Sequence, residues 1–246
     1  MATTYLYVMG AGSGAGKSTV CLGILAQLLA LGFKPQQLAY IKPVTQCIVK
    51  QPVARFCEDT GIAYRDIGKL VFTKGFSRDF IDGLTAPSDK LLADVLDSIR
   101  HIGKDKTVVI IDGVGDPSVG SVVAVSNVDV ALALTCKVIF VGNPGIGAAI
   151  DNTVLCISFM HAKGLADIGV IYNKLPLSAF NDIQKYITKR LPELLPNVTL
   201  LGFIGKEDLI CAGDSSNVAA ITRWFTSYIN PNTLLRNWLQ LHKIPD

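Results

Sequence analysis

The ten residues from position 10 to position 19 read Gly-Ala-Gly-Ser-Gly-Ala-Gly-Lys-Ser-Thr, between an apolar run at 5–9 and a helix-like run at 17–31. No other stretch constrains the fold as much. Glycines let successive backbone amides turn inward around phosphate oxygens, and the start of a helix adds the positive end of its dipole. In such a loop Lys17 is expected to reach the β- and γ-phosphates of a nucleotide, and the Ser18 hydroxyl to take a Mg²⁺ coordination position. The candidate nucleotide-binding residues are therefore Gly12, Ser13, Gly14, Ala15, Gly16, Lys17, Ser18 and Thr19.

The strict pattern GxxxxGK[ST] asks for glycine at position 11, where this chain has Ala11, with Gly10 one residue earlier. A dinucleotide pattern, GxGxxG, also half-fits, with Ala15 in its last place. That alternative needs an acidic residue at the end of the second strand to hold a ribose, and the chain has Lys42 and Pro43 there. It also leaves Lys17 and Ser18 without a role. Phosphate binding uses all of them.

Short apolar runs of strand length alternate with longer helix-like segments along the chain. Strands are expected at 5–9, 38–41, 107–111, 137–141, 168–172 and 199–203, and helices at 17–31, 89–102, 128–134, 149–163 and 179–190. Strands that are apolar throughout and separated by helices indicate an α/β fold, with a mostly parallel central sheet covered on both faces. In such sheets ligands bind beyond the carboxyl ends of the strands. Two stretches break the alternation. Residues 44–87 are mixed in polarity and carry four glycines (61, 68, 75 and 83), which predicts a substrate loop or lid with a short helix near 53–60. From Ala212 the apolar residues Val218, Ile221, Trp224, Phe225 and Tyr228, then Leu234, Leu235, Trp238 and Leu241, predict two amphipathic helices around 230–232. These either cap the core or form a subunit interface.

With 246 residues, the chain is long enough for one large domain or a tight pair at about 150 residues per domain. The reading adopted is a single domain over 1–246, with 212–246 as a C-terminal helical extension. Half of the residues are apolar and mean hydropathy is +0.40, yet no run approaches the ~18–20 apolar residues of a membrane span. Residues 1–9 lack a basic start and are not expected to act as a signal peptide. A net charge of +3 with no basic cluster argues against a nucleic-acid partner. The six cysteines (21, 47, 57, 136, 156 and 211) are scattered, with no CxxC, which fits a reduced, cytoplasmic setting and no zinc site. Glu58, Glu193 and Glu207 are the only glutamates beside seventeen aspartates, so a metal-binding acid is expected to be an aspartate.

Asp112 ends a buried apolar strand, the place where phosphate-loop enzymes keep the acid that holds Mg²⁺ or its water. Asp116, four residues on, is either a second acid near the metal or a turn former. Lys42 closes the second strand and faces either the ligand crevice, where it would neutralise a phosphoryl group or a carboxylate, or solvent. Asn173 follows the fifth strand; its amide can read a base edge, though asparagine is also a routine turn residue. His101, His161 and His242 are isolated, and His161, within an apolar helix, reads as structural.

Together these residues resemble the dethiobiotin synthetase family of phosphate-loop ATPases, with its relatives the cobyrinic-acid amidating synthetases and the ATPase-like domains of some phosphotransacetylases. Gly10 and Gly16 match the family's glycine spacing of six. Its Lys-Pro-Val appears as Lys42-Pro43-Val44, its acidic-Gly-x-Gly as Asp112-Gly113-Val114-Gly115, and its base-contacting asparagine as Asn173. The resemblance runs from about Thr4 to Asp208. It implies a P-loop NTPase-type three-layer sandwich, ATP as substrate with Mg²⁺, and a homodimer. It further implies in-line transfer of the γ-phosphoryl group onto a carbamate or carboxylate before ring closure or amide formation, with Lys17 and Lys42 as the catalytic pair and Ser18 and Asp112 at the metal. Asp112 and Asp116 replace a glutamate and a glycine of the family, Gln46 replaces a serine, and Val53-Ala54-Arg55 stands where a second metal-binding aspartate is usual. The alternative implied by these departures is a nucleotide-binding regulatory or sensing domain without synthetase activity. A partitioning-type ATPase fits less well, because no second lysine precedes Gly14 in the loop.

Overall fold

The structure, a computed structural model, describes residues 3–46, 50–206 and 217–241. Cys47, Glu207, Asp208, Cys211, the opening of the tail at 212–216 and His242 lie outside the described residues. Strand β1 (Thr4–Gly10) runs into the glycine loop and then α1 (Lys17–Ala30), and β2 (Leu38–Ile41) follows. The stretch expected as a loop or lid holds more order than predicted. It contains β3 (Val44–Thr45), α2 (Pro52–Thr60), β4 (Ala63–Arg65), β5 (Leu70–Val71) and α3 (Phe76–Ile81). Of these only α2 was anticipated, because the others are two to six residues long, too short to show a period. Next come α4 (Ser88–Ile102), β6 (Val108–Asp112), α5 (Asn127–Ala133), β7 (Lys137–Gly142) and α6 (Gly147–Ala162). The chain continues through β8 (Ile168–Leu175), α7 (Phe180–Leu194), β9 (Val198–Gly205) and α8 (Val218–Tyr228) to a segment of wide π-type turns, Asn232–Trp238.

Among the described residues, seven strands form one sheet in the order β4-β2-β6-β1-β7-β8-β9, and every neighbouring pair is parallel. This is the α/β fold of phosphate-loop NTPases, with helices on both faces. The strand period of two divides the core. Leu6 and Val8 of β1 pack on one face with α1, α2 and α8, while Tyr7 and Met9 pack on the other with α4, α5, α6 and α7. Burial of both sides explains why β1, β6 and β7 read as unbroken apolar runs. A parallel ladder brings the carboxyl ends of β1, β2, β6 and β8 to one rim, and the candidate residues lie on the ends of these strands, the loops after them and the start of α1.

A second small sheet pairs Val44 with Leu70 and Thr45 with Val71. It seats Gln46 beside the rim. Gly68 allows this close approach, since a β-carbon there would fall 1.9 Å from the Pro43 carbonyl oxygen. The tail packs on the core: Ile221, Phe225, Leu234, Leu235 and Trp238 are buried against the α1 face. The second of its two expected helices has π-type rather than α-helical turns.

Candidate functional site

The glycine loop is tight at Gly10 and admits only glycine without strain at Gly16. A β-carbon on Gly10 would lie 3.0 Å from Lys17 Cγ and 3.1 Å from Ala15 Cβ, so the loop folds back over the end of β1. Gly16 precedes α1 with φ of 89°, in the left-handed region. This accounts for the shifted spacing: Gly10 meets the returning chain, whereas Ala11 continues the sheet ladder through its N–H to the Val141 carbonyl at 2.9 Å. Lys17, nearly buried, donates to the carbonyls of Gly12 at 2.9 Å and Gly115 at 3.0 Å. It thereby ties the loop to the turn after β6. Burial holds its ammonium below the ordinary lysine range, with Asp112 pulling the other way.

Asp112 is the last residue of β6 and is fully buried. Its Oδ2 accepts from Ser18 Oγ at 2.6 Å and Tyr40 Oη at 2.8 Å, and lies 3.5 Å from Lys42 Nζ. Its Oδ1 is buried with no hydrogen-bond partner among the described residues. Lys42, just beyond β2, therefore turns inward. Its backbone N–H is held by the Arg65 carbonyl at 2.8 Å, so β4 fixes the strand end that carries it.

A half-open cleft of about 330 Å³ runs over these groups. Ser13, Gly14, Gly16, Lys17, Ser18, Thr19 and Lys42 line it, joined by Thr45, Gln46, Gln51, the turn at 113–115 and Lys174. Four of the expected residues do not line it: Gly12 is half-buried and offers its carbonyl to Lys17, while Ala15, Asp112 and Asn173 stand behind the wall, each 2% exposed or less. Asn173 lies within β8, which runs three residues further than predicted. Its Nδ2 donates to the carbonyl of Ala15 at 3.1 Å, and its Oδ1 accepts from the Lys174 N–H at 2.8 Å. Nδ2 also lies 3.4 Å from the Gly16 carbonyl, so the amide is bound to the loop itself. Asp116 does not enter the cleft; its Oδ1 accepts from the Ser118 N–H at 2.8 Å and hydroxyl at 2.6 Å, shaping the turn. Glu58, near the place of the missing second acid, pairs with Lys50 on the surface.

Sequence reading missed four supports of the site. Lys174 reaches back across the loop to the Gly14 carbonyl at 2.7 Å. Tyr40 looked like one more core residue of an apolar strand. Asn127, at the start of α5, holds the turn after β6 through the carbonyls of Val114 at 2.7 Å and Asp116 at 2.6 Å, and accepts from the Val114 N–H at 3.2 Å. Tyr7 steadies Asn127 with a 2.9 Å bond to its Oδ1. Nothing in local spacing marks the contacts of Lys174, Tyr40 and Tyr7, which span more than seventy positions, and Asn127 meets its turn from 11 to 13 residues away, beyond any local period.

The family model of the AAA domain type AAA_26 matches residues 4–211. This chain belongs to the AAA_26 family. No curated protein sequence matches it. Among solved structures, the AAA_26 chain is similar to a chain of the MinC:MinD cell division protein complex of Aquifex aeolicus. That match has a TM-score of 0.58 at 13% identity, covering 91% of this chain and 93% of that one. MinD cell division protein from the same organism gives 0.52 at 13%, covering 98% and 93%. The signal recognition particle receptor FtsY of Elizabethkingia anophelis, in complex with GDP, gives 0.52 at 13%, covering 92% of this chain and 64% of that one. At these identities the likeness is one of fold. With the family match, it supports nucleotide binding by this AAA_26 chain.

No group of three or more His, Cys, Asp or Glu able to hold a metal occurs among the described residues. A cation at Ser18 would have to complete its shell with phosphate oxygens and water. That is the habit of Mg²⁺ rather than of Zn²⁺ or Ca²⁺, and the donor set fits it. No helix among the described residues is long and apolar enough to cross a membrane.

Proposed function

We propose that the protein is a Mg²⁺-dependent, ATP-using ligase of the dethiobiotin synthetase type, which activates a carbamate or carboxylate by phosphorylation. One observation carries the reading: Lys17 and Lys42 line a single cleft over Ser18, with Asp112 behind them accepting from Ser18 and lying near Lys42. Phosphoryl transfer needs little covalent help from a protein and depends on positioning and charge. Lys17 and the loop amides would hold the phosphates. Lys42, from the end of β2, would neutralise the oxygens between donor and acceptor. Ser18 would ligate the cation through an oxygen lone pair while its hydroxyl donates a hydrogen bond to Asp112. The cation, when bound, supplies charge neutralisation of the phosphate oxygens. Asn173 would serve nucleotide binding through the loop, by holding the carbonyls of Ala15 and Gly16. Residues 212–246 act as a helical extension of one domain, and a homodimer in the cytoplasm completes this reading, with exposed Ile146 and Leu155 near or on α6 available for contact.

A second reading is a nucleotide-binding regulatory or sensing domain without synthetase activity. It is favoured by the cleft wall itself, which offers three lysines, amides and hydroxyls but, among the described lining residues, no carboxylate to hold a cationic diamine. The test that separates them incubates purified protein with MgATP, bicarbonate and 7,8-diaminopelargonate and looks for dethiobiotin by mass spectrometry. Product supports the ligase reading. Tight ATP binding without product removes its narrow form and favours the second. A Lys17→Ala chain that binds ATP as well as the parent would sink both.

A further inference from the structure

The carboxylate of Asp112 is held on one side only. Oδ2 accepts hydrogen bonds from the Ser18 and Tyr40 hydroxyls and has the Lys42 ammonium 3.5 Å away, while buried Oδ1 has no partner among the described residues. A buried carboxylate oxygen without a donor is costly, so such an arrangement calls for an explanation. Two single bonds separate this carboxylate from the backbone, and each could swing it. The donors come from three separate places: the start of α1, the middle of β2 and the residue after β2. Convergence from three directions onto one oxygen fixes the rotation of the group.

Tyr40 is the donor with no other evident role at the cleft. It is fully buried and does not line the cleft. Its hydroxyl, 2.8 Å from Asp112 Oδ2, has a carboxylate oxygen before it, which can only accept, so the phenol is the donor of this pair. Its effect on Asp112 passes to Ser18. A serine hydroxyl has one proton and two lone pairs. While Asp112 accepts the proton, the lone pairs are left for a cation; were Asp112 to rotate, the proton would be free to turn towards the cation position instead.

We infer that Tyr40 is a positioning residue that, by pinning Asp112, orients the Ser18 hydroxyl and so sets the affinity of the nucleotide site for a divalent cation. The inference rests on the nucleotide-binding reading above. It goes beyond it by assigning the cation dependence to a buried tyrosine outside the loop and the strand-end acid.

Tyr40→Phe removes one oxygen and leaves the ring in place. Binding of a fluorescent ATP analogue is measured in EDTA and again across a Mg²⁺ titration. The expected result is a Mg²⁺ midpoint raised about tenfold or more, the usual scale for a lost outer contact to a metal ligand, with affinity in EDTA unchanged within about twofold. In an Asp112→Asn background the same substitution should have little further effect, since residues acting through one group are not additive. Equal losses with and without Mg²⁺, or no loss in either, overturn the inference. So does a Tyr40→Phe chain that fails to fold by circular dichroism, because positioning alone leaves the fold intact. A parent chain that binds ATP in neither condition overturns the nucleotide reading itself, and this inference with it.

Discussion

A β-carbon on Gly16 would lie 2.1 Å from the Nδ2 of Asn173, a residue 157 positions away that donates to the carbonyls on either side of the Ala15–Gly16 peptide link. The end of β8 therefore presses on the phosphate loop at the one point where no side chain can stand. Gly16 also has φ of 89°, which disfavours alanine by about 1–3 kcal/mol. Gly16→Ala should displace Asn173 and distort the loop. We expect nucleotide affinity to fall by about tenfold or more, equivalent to about 1.4 kcal/mol, with a lower melting temperature. Isothermal titration calorimetry and a thermal melt check this; unchanged affinity would remove Asn173 as a support of the loop.

Lys17 predicts a pH dependence. Burial lowers its pKa in the free protein, whereas bound phosphate would raise it. Below the lowered pKa, Lys17 is cationic in both states and affinity is flat. As pH rises through it, the free protein loses a proton that the complex must regain, so affinity falls by up to about tenfold per pH unit until the pKa of the complex is reached. The same lowering works oppositely on stability. The unfolded chain then binds more protons than the folded one, so stability of the nucleotide-free protein rises with pH across the window between the two pKa values. Parallel titrations of binding and of urea midpoint should show these opposite slopes, and Lys17→Met should flatten both.

Asn127→Ala tests the support of the turn after β6. It removes the acceptor for the Tyr7 hydroxyl and the Val114 N–H, and the donor for the carbonyls of Val114 and Asp116. Each buried group left unpaired costs about 1–3 kcal/mol, and three of the four bonds are buried, so the variant should lose about 3 kcal/mol or more in urea unfolding. Because Lys17 hangs on the Gly115 carbonyl in that turn, nucleotide affinity should fall as well. A stability loss without any change in affinity would show the turn to be mere scaffolding.

The parts of this architecture that could be read from the sequence are those in which one segment carries its own signal. β6 is buried on both faces throughout, and β1 and β7 beyond their first one or two residues, so successive residues report the same environment, and the glycine loop announces itself by composition. Strand β4 could not be read that way. Its Ala63, Tyr64 and Arg65 are half-buried at the sheet edge, with neither an apolar run nor alternation to mark them. The candidate site divides likewise. Lys17, Ser18, Lys42 and Asp112 stand at strand ends and helix starts, where position suggests chemistry. Tyr40 and Tyr7 sit within apolar strands, and only their hydroxyls, meeting Asp112 and Asn127, distinguish them from packing.

The docking of the tail onto the loop helix gives a final prediction. Gly23, in the middle of α1, faces Phe225 of α8 so closely that a β-carbon would fall 2.1 Å from Phe225 Cδ2 and 2.4 Å from Cγ. In an exposed helix, glycine to alanine would gain about 1 kcal/mol. Here the ring is fully buried and cannot swing aside, and α8 is further tied down by Thr222 to the Ala26 carbonyl at 3.1 Å, with Gln27 bonded to the Ile229 carbonyl at 3.0 Å just beyond its end. Overpacking costs about 1–3 kcal/mol, so the clash should win. Gly23→Ala is expected to destabilise the protein by up to about 2 kcal/mol, and a Gly23→Ala/Phe225→Leu pair to recover part of that loss, since the smaller side chain vacates the space. Urea unfolding of the two variants and the Phe225→Leu single variant gives the coupling directly. Additive losses would mean that the helices do not meet at this point in solution.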